Sequence, residues 1–473
     1  MLYEYFHKKL LESFDFQPTG SQENLCELLS QFLFLQENKK AFLLKGYAGT
    51  GKTSTISIFV NLLAKNKFRS VLLAPTGRAA KVLSSYCKMP AFTIHKKIYR
   101  QKSSKDGFGK FVLDKNLYKN TLFIVDEGSM IANDATINSV FGSGQLLADL
   151  INYVYQGENC SMIIVGDTAQ LPPVGIDLSP GLQKPQLESY GLKVTEVILN
   201  EVVRQRDSSG ILYNATGLRE KISKKEVSFP VIQKTDFIDF KRISGEDLIE
   251  EISTCFDKYG TEETVIICRS NKRANKYNQG IRSSILFREE EITPGDLLMV
   301  VKNNYYWMED HDELGFIANG DIIQLQRIRK YHDLYNYRFA DCTVKLIDYD
   351  LELDVKIMLD VLSSESAALT TEQNKELFYA VLEDYSHLQT RKKQYDSVKT
   401  NEFFNALQIK HAQAITCHKA QGGQWKAVFI DAGYLTREMI DIEYLRWFYT
   451  AITRATEVVY LVNFPEFVFQ KSL

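Results

Sequence analysis

The chain has 473 residues, too many for one hydrophobic core and enough for two to four domains. Hydrophobic residues make up 45% and charged residues 25%, an ordinary globular balance. With 57 basic and 59 acidic residues the formal net charge is −2, which excludes a general electrostatic attraction to nucleic acid. Any nucleic-acid track must therefore come from local placement of basic groups.

The seven cysteines and the apolar runs bear on the cellular compartment. The cysteines are scattered, odd in number and never form a C-x-x-C pair, which predicts reduced thiols. No apolar run reaches membrane-spanning length, and the amphipathic start, MLYEYFHKKLLESFDF, is not typical of a secretory signal. We expect a cytoplasmic, nucleoid-associated protein without a membrane partner.

Buried parallel strands are predicted in the first third of the chain. Four runs are apolar on both faces and end in Gly, Pro or an acidic residue: AFLLKG, SVLLAP, TLFIVDE and SMIIVGD. Between the second and third runs, residues 99–116 read as a hairpin around a Lys-Asp-Gly turn. In a parallel sheet the functional groups lie at the carboxyl ends of the strands.

The same strand pattern returns late in the chain, in TVIICRSN, KAVFIDAG and VVYLVN. At 288–405 apolar and polar residues alternate, as in half-buried antiparallel strands, before a charged helical stretch. We therefore predict an α/β fold with two parallel-sheet domains, each carrying an insertion. The first domain takes 1–98 and 117–175 with the hairpin of 99–116, and the second takes 176–287 and 406–473 with a small β-barrel and helical arm at 288–405.

A complete phosphate-binding loop, G-x-x-x-x-G-K-T, begins at Gly46 between a strand and an apolar helix. Backbone N–H groups of such a loop curl around phosphates, and the helix N-terminus adds positive potential. Lys52 should reach the β- and γ-phosphates of ATP, and Thr53 should ligate Mg²⁺. The predicted ATP-binding residues of the loop are Gly46, Ala48, Gly49, Thr50, Gly51, Lys52, Thr53 and Ser54.

Asp126 and Glu127 end the third predicted strand. One carboxylate there can hold Mg²⁺ and a second can polarise the attacking water, so we assign Asp126 to the metal and Glu127 as general base. Alone, such a pair is often only a helix cap. The P-loop alone would also fit a kinase, a GTPase or a ring ATPase.

Six blocks, in order, resemble the motifs of the superfamily 1 helicases, most closely the 5′-to-3′ branch that contains RecD and the phage helicase Dda. They are GYAGTGKT (46–53), APTGRAA (74–80), VDEGSM (125–130), GDTAQLPPVG (166–175), CHKAQG (417–422) and YTAITRA (449–455). LNEVVRQ (199–205) and SNKRANKYNQGIR (270–282) are also similar. The resemblance implies two RecA-like domains, a duplex-splitting pin in the hairpin, and an SH3-like barrel with a helical arm.

The resemblance also assigns further residues to the nucleotide. It implies that Gln22 reads adenine, that Gln170 senses the γ-phosphate, and that Arg204 and Arg454 are arginine fingers. The relatives usually have Ser-Glu where Gly423-Gln424 stands, so Gln424 would contact the ribose as a neutral group. The predicted catalytic set is Lys52, Glu127, Gln170, Arg204 and Arg454.

A single-strand groove is the other implied site. Short hydroxyls and backbone N–H groups at strand ends suit phosphate contacts that do not read sequence. The predicted DNA-binding residues are Pro75, Thr76, Arg78, Thr93, His95, Phe108, Asn271, Lys272, Thr416, His418 and Lys419. Either Phe108 or Phe111 could stack on the last base pair as the pin, or such a Phe could instead anchor the hairpin to its own domain.

The implied function is that of an ATP-dependent DNA helicase, a monomeric motor that moves 5′ to 3′ on single-stranded DNA and opens forked DNA. An alternative is a DNA-dependent ATPase that displaces bound proteins with little unwinding. A non-motor P-loop phosphotransferase is disfavoured by the two late arginines and by the second α/β half.

Overall fold

The protein is represented by a computed structural model that describes residues 2–102, 110–133, 142–201, 209–228, 232, 237–308 and 316–469. In the first part of the chain the elements are α1 (Leu2–Glu12), α2 (Gly20–Phe34), β1 (Lys40–Gly46), α3 (Lys52–Lys65), β2 (Arg69–Ala74), α4 (Gly77–Cys87), β3 (Ala91–Thr93), α5 (Ile94–Ile98), β4 (Tyr99–Lys102), β5 (Lys110–Leu113), β6 (Thr121–Val125), α6 (Leu146–Gln156), β7 (Ser161–Gly166), α7 (Lys184–Glu188) and β8 (Lys193–Leu199). Within the described residues, no helix combines the length and the apolar character needed to cross a membrane.

The first domain is built on a six-stranded parallel sheet with the order β3-β2-β6-β7-β1-β8. Its central strands are buried along almost their whole length, as their apolar sequences predict. The carboxyl ends of β1, β6 and β7 lead into the P-loop, the Asp-Glu pair and the GDTAQ segment. The fold therefore brings three of the sequence blocks to one edge of the sheet.

Strand β8 corrects the predicted boundary of this domain at residue 175. It pairs in parallel with β1, from Lys40 opposite Lys193 to Gly46 opposite Leu199, so the first domain extends at least to Leu199. The sequence KVTEVIL carries polar side chains because β8 is an edge strand that is buried only in part. An edge strand lacks the continuous apolar run by which the central strands were predicted.

The hairpin insertion is present as β4 and β5, which pair antiparallel from Tyr99 opposite Leu113. The predicted turn at 105–107 lies outside the described residues.

The remaining elements are α8 (Gly210–Lys224), β9 (Phe240–Ile243), α9 (Leu248–Tyr259), β10 (Thr264–Cys268), α10 (Asn271–Ser284), β11 (Leu297–Val300), β12 (Ile322–Leu334), β13 (Tyr337–Leu346), β14 (Leu351–Met358), α11 (Asp360–Ser363), α12 (Thr371–Asp384), α13 (Arg391–Lys399), β15 (Leu407–His411), β16 (Ala414–Thr416), α14 (Cys417–Ala420), β17 (Trp425–Asp431), α15 (Ile442–Ile452) and β18 (Ala455–Val462). The second domain has a parallel sheet with the order β16-β10-β17-β18-β9. Two parallel-sheet domains are thus confirmed.

The insertion in the second domain is a closed barrel of β11 to β15. Strand β15 closes it by pairing antiparallel with β11 and parallel with β14, so the insertion continues past the predicted limit of 405 to His411. Only two residues separate β15 from β16, which already belongs to the parallel sheet, and so short a link hides the boundary in the sequence. Helices α12 and α13 form the predicted arm and pack through Leu377, Val381 and Val398 onto Phe339.

Candidate nucleotide site and nucleic-acid channel

The P-loop is shaped by two glycines and a lysine. Gly49 and Gly51 have φ angles of +77° and +82°, in the left-handed region that favours glycine, and Gly51 precedes the first residue of α3. The Lys52 Nζ donates to the Tyr47 carbonyl at 2.8 Å, within the loop itself. A Cβ on Gly46 would lie 2.9 Å from the Lys52 side chain. The lysine is therefore folded against the loop that would surround the phosphates.

The acidic pair lies beside this loop. Asp126 Oδ1 accepts from the Glu127 N–H at 2.8 Å, and Glu127 itself has a φ of +53°. Burial, followed by the neighbouring Glu127, raises the pKa of Asp126 to about 7, while Lys52 opposes the rise. The site disfavours the charged form of the Asp126 carboxylate, and a bound cation would stabilise that charged form.

Thr53 and Asp126 line the same cavity, which tests their predicted role as Mg²⁺ ligands. A hydroxyl and a carboxylate are hard oxygen ligands. Mg²⁺ in nucleotide sites is usually held by one or two such protein groups together with phosphates and water. The residues present fit the ion.

The cavity itself has a volume of about 280 Å³ and is lined by both parallel-sheet domains. The first domain contributes Ala48, Gly49, Gly51, Lys52, Thr53, Ser54, Asp126, Glu127 and Gln170, and the second contributes Gln424 and Arg454. Lys52 and Arg454, which are 402 positions apart in the sequence, thus line the same cavity.

Arg454 reaches across the cleft between the two domains. Its side chain is only 5% exposed, its Nη1 lies 3.9 Å from Glu127 Oε1, and its Nε donates to the Thr450 carbonyl. This places a guanidinium beside the predicted general base. Arg204, the other predicted finger, lies outside the described residues.

Gln22 is not placed as predicted. Its side chain is fully buried and completes a capping box at the start of α2, where Oε1 accepts from the Thr19 N–H at 3.0 Å. Its Nε2 donates to the Thr50 carbonyl at 3.3 Å. Both ends of the amide are therefore engaged with backbone, and Gln22 supports the P-loop from behind instead of facing the cavity.

A second cavity, of about 390 Å³, collects most of the predicted DNA-binding residues. Pro75, Thr76, Arg78, Thr93 and His95 line it from the first domain, and His418 and Lys419 line it from the second. The barrel adds Asn303, Phe316 and Asn319, which the sequence reading did not assign to the groove. Asn303 lies in the segment NNYYW, and Phe316 and Asn319 lie in FIANG, so these two segments could have indicated that the barrel contributes to the groove. We call this space the channel.

The channel suits a backbone phosphate better than a base edge. The hydroxyls of Thr76 and Thr93 accept from the backbone N–H groups of Ala79 and Lys96, so both threonines cap helices whose N-termini begin there. Burial lowers the pKa of His95 to about 4 and that of Lys419 to about 8. A phosphate beside Lys419 would offset the burial of its ammonium group.

Three predicted residues do not face the channel as expected. Lys272 forms an exposed ion pair with Glu365 at 2.8 Å, and neither it nor Asn271 lines the channel. Thr416 precedes α14 and is also absent from the channel wall. They stand at the start of helices in the second domain, and only the packing of the domains determines which helix starts face the channel.

Of the two candidate pin residues, Phe108 lies outside the described residues. Phe111 is 6% exposed and its ring centre lies 4.4 Å from that of Tyr305, in the segment between β11 and β12. Phe111 also belongs to the buried core of its own domain, together with Ile98 and Leu147, so it anchors the hairpin there as the alternative interpretation expected, and it contacts the barrel insertion as well.

Gly423 and Trp425 explain a departure from the family pattern. A Cβ on Gly423 would lie 2.5 Å from the Trp425 ring and 3.0 Å from the Arg78 side chain. The Arg78 guanidinium stacks on that ring, a contact not predicted from the sequence, where Arg78 was expected to bind DNA. The serine usual at this position has no room here.

Comparisons with known proteins match two parts of the chain to domain families. The AAA domain family matches residues 32–229, and the UvrD-like helicase C-terminal domain family matches residues 411–462. The ATP-dependent RecD2 DNA helicase of Deinococcus radiodurans is 28% identical over 42% of this chain and 25% of its own length. DNA helicase B of Mus musculus is 26% identical over 83% of this chain and 36% of its own length.

Two further matches span nearly whole chains. Uncharacterized protein R530 of Acanthamoeba polyphaga mimivirus is 25% identical, over 89% of this chain and 95% of its own length. The crystal structure of a Bacteroides Pif1 helicase with ADP-AlF3 and ssDNA superposes with a TM-score of 0.42 and 14% identity, covering 97% of this chain and 95% of its own. The chain spans only about a third or less of the two named helicases. Its ordered motifs and the matches to these two domain families make the chain similar to the superfamily 1B helicases, which are ATP-hydrolysing enzymes.

Proposed function

We propose that this chain is a DNA helicase that moves along single-stranded DNA, from 5′ to 3′, and separates the duplex at a fork. One observation carries the proposal: the same two domains line both the nucleotide cavity and the channel. A change in the separation of the two domains at the nucleotide cavity must therefore also change the channel.

In this proposal ATP binds to the P-loop and draws Arg454 of the second domain toward it. Lys52 and Arg454 stabilise charge on the transferred phosphoryl group, and Glu127 orients the attacking water. Mg²⁺, held through Thr53 and Asp126, supplies further neutralisation of phosphate charge when it is bound. Hydrolysis removes the γ-phosphate, and the cleft opens.

Movement follows because each half of the channel belongs to a different domain. Thr76, Thr93 and His95 move with the first domain, while His418 and Lys419 move with the second. Closure shifts one half of the channel relative to the other. If the two halves bind the strand alternately, the protein then moves along it by an inchworm mechanism. The 5′-to-3′ direction rests on the resemblance to RecD and Dda.

Forked DNA with either a 5′ or a 3′ single-stranded tail tests the proposal in the presence of ATP and Mg²⁺. We expect only the 5′-tailed fork to open. If single strands stimulate ATP hydrolysis but neither fork opens, the chain is instead the strand-dependent ATPase that displaces proteins.

Lys52→Ala tests the assignment of the phosphate site. It should lower turnover by at least ~10²-fold because it removes a fixed charge next to the transferred group. Salt-sensitive binding to single strands should persist, since Lys52 does not line the channel. Unchanged turnover would refute the assignment of the site.

A further inference from the structure

One hydroxyl group joins three parts of the nucleotide site. Tyr449, in α15 of the second domain, is 1% exposed. Its hydroxyl accepts from the Ala48 N–H of the P-loop at 2.8 Å and donates to Asp167 Oδ2, just after β7, at 2.7 Å. Asp167 is also buried, and its Oδ1 accepts from the Ala169 N–H at 2.9 Å. The second domain therefore contacts the P-loop and the GDTAQ segment through the same oxygen atom.

Neighbouring residues of α15 hold the same segment by its backbone. Thr450 Oγ1 accepts from the Leu171 N–H at 2.9 Å, and Arg446 Nη1 donates to the carbonyls of Thr168 and Gln170, the latter at 3.1 Å. Because positions three and four apart share a helix face, these side chains and Tyr449 form one contact surface. The segment that they hold carries Gln170.

Gln170 is thereby aimed at the nucleotide cavity. It lines that cavity, and its Oε1 is buried without a hydrogen-bond partner among the described residues. Arg454 lies two residues past the end of α15 and beside Glu127. Helix α15 thus positions a group of the first domain and carries the arginine of the second.

The Tyr449 bonds depend on the two domains being together. Burial and the nearby Asp167 raise the pKa of Tyr449 well above its ordinary value, so the hydroxyl keeps its proton and donates a hydrogen bond to the carboxylate. Without that oxygen, the Ala48 N–H and the Asp167 Oδ2 atom would each lose this partner in the closed cleft, whereas water would solvate both groups when the domains separate. Loss of the hydroxyl should therefore penalise closure and leave ATP binding to the first domain intact.

We propose that Tyr449 is a positioning residue: its hydroxyl sets the P-loop and the Gln170 segment relative to Arg454 when the cleft closes. The role rests on the proposed function, since it concerns ATP turnover that depends on closure of the cleft while the protein is bound to a DNA strand.

Tyr449→Phe, compared with Tyr444→Phe, tests this role. Tyr444 lies on the same helix, is 3% exposed, and its hydroxyl has no hydrogen-bond partner among the described residues. At saturating single-stranded DNA, Tyr449→Phe should lower kcat by about tenfold or more while KM for ATP stays within about twofold, the signature of an interaction made only at closure. Tyr444→Phe should stay within about twofold of the unmodified protein in both parameters.

Each outcome decides the matter. If Tyr449→Phe behaves like Tyr444→Phe, or raises KM without lowering kcat, the positioning role is wrong while the proposed function stands. If the unmodified protein shows no turnover that depends on single strands, the proposed function fails and the role fails with it. Should Tyr449→Phe not fold, Thr450→Val removes a second bond to the same segment, and it must show the same loss confined to kcat.

Discussion

The guanidinium of Arg78 lies 4.0 Å from the centre of the Trp425 ring, across the cleft between the two parallel-sheet domains. Arg78 belongs to α4 of the first domain, and Trp425 begins β17 of the second. The Nη2 of Arg78 also donates to the Gln424 carbonyl at 3.4 Å. A planar cation stacked on an aromatic face is a specific contact between the domains that depends on how close they are.

The first prediction separates this role from the DNA contact that the sequence suggested for Arg78. Arg78→Gln and Trp425→Leu should both weaken the domain contact, by about 0.5–2 kcal/mol, and both should leave the salt dependence of single-strand binding unchanged. The measurement is the slope of log affinity against log salt concentration. If Arg78 instead contacts a phosphate, Arg78→Gln alone will reduce that slope by about 0.7.

Arg454→Ala should abolish most turnover without abolishing ATP binding. An arginine that stabilises the transferred phosphoryl group contributes ~10³–10⁵ in rate, and Arg454 is placed beside Glu127 for that purpose. Single-turnover hydrolysis and equilibrium nucleotide binding measure the two quantities separately. Arg269→Ala is the control, because Arg269 contacts the rings of Tyr444 and Trp447 on the same helix but does not line the nucleotide cavity. Similar losses in both variants would contradict a specific role.

Gly423→Ala should be destabilising despite its small size. The added methyl group would lie 2.5 Å from the Trp425 ring, and such overpacking costs about 1–3 kcal/mol. Gly217→Ala, in the middle of α8, meets nothing within 4 Å and should stabilise the protein by roughly 0.5–1 kcal/mol through helix propensity. Urea unfolding of the two variants measures the difference. Equal effects would mean that Trp425 can move aside without cost.

The stability of the barrel should fall as the pH falls from about 6.5 toward 4. Burial, followed by the nearby Arg282, lowers the pKa of His411 in β15 to about 4. The unfolded chain therefore binds a proton in this window that the folded chain does not, and this removes about 2 kcal/mol of stability between pH 7 and pH 5. His411→Gln should remove that part of the pH dependence in urea unfolding. An unchanged slope would show that His411 is not the titrating group.

The sequence by itself determined the chemistry that is contained in short segments. The P-loop, the Asp-Glu pair and the GDTAQ segment each follow an apolar strand, and parallel strands must bring their carboxyl ends to one edge of a sheet. The two parallel-sheet domains, the hairpin and the barrel were also predictable, because periodicity records which faces of each element are buried.

Only the tertiary structure decided which residues meet between the domains. Tyr449 and Ala48 are separated by 401 positions, and nothing in the local pattern of either residue pairs them. The same holds for Arg78 on Trp425, for Phe111 against Tyr305, and for the partly polar edge strand β8, which is recognisable only from its pairing with β1. Local sequence fixes which groups a segment offers, whereas a contact across a cleft depends on how two separately folded sheets pack.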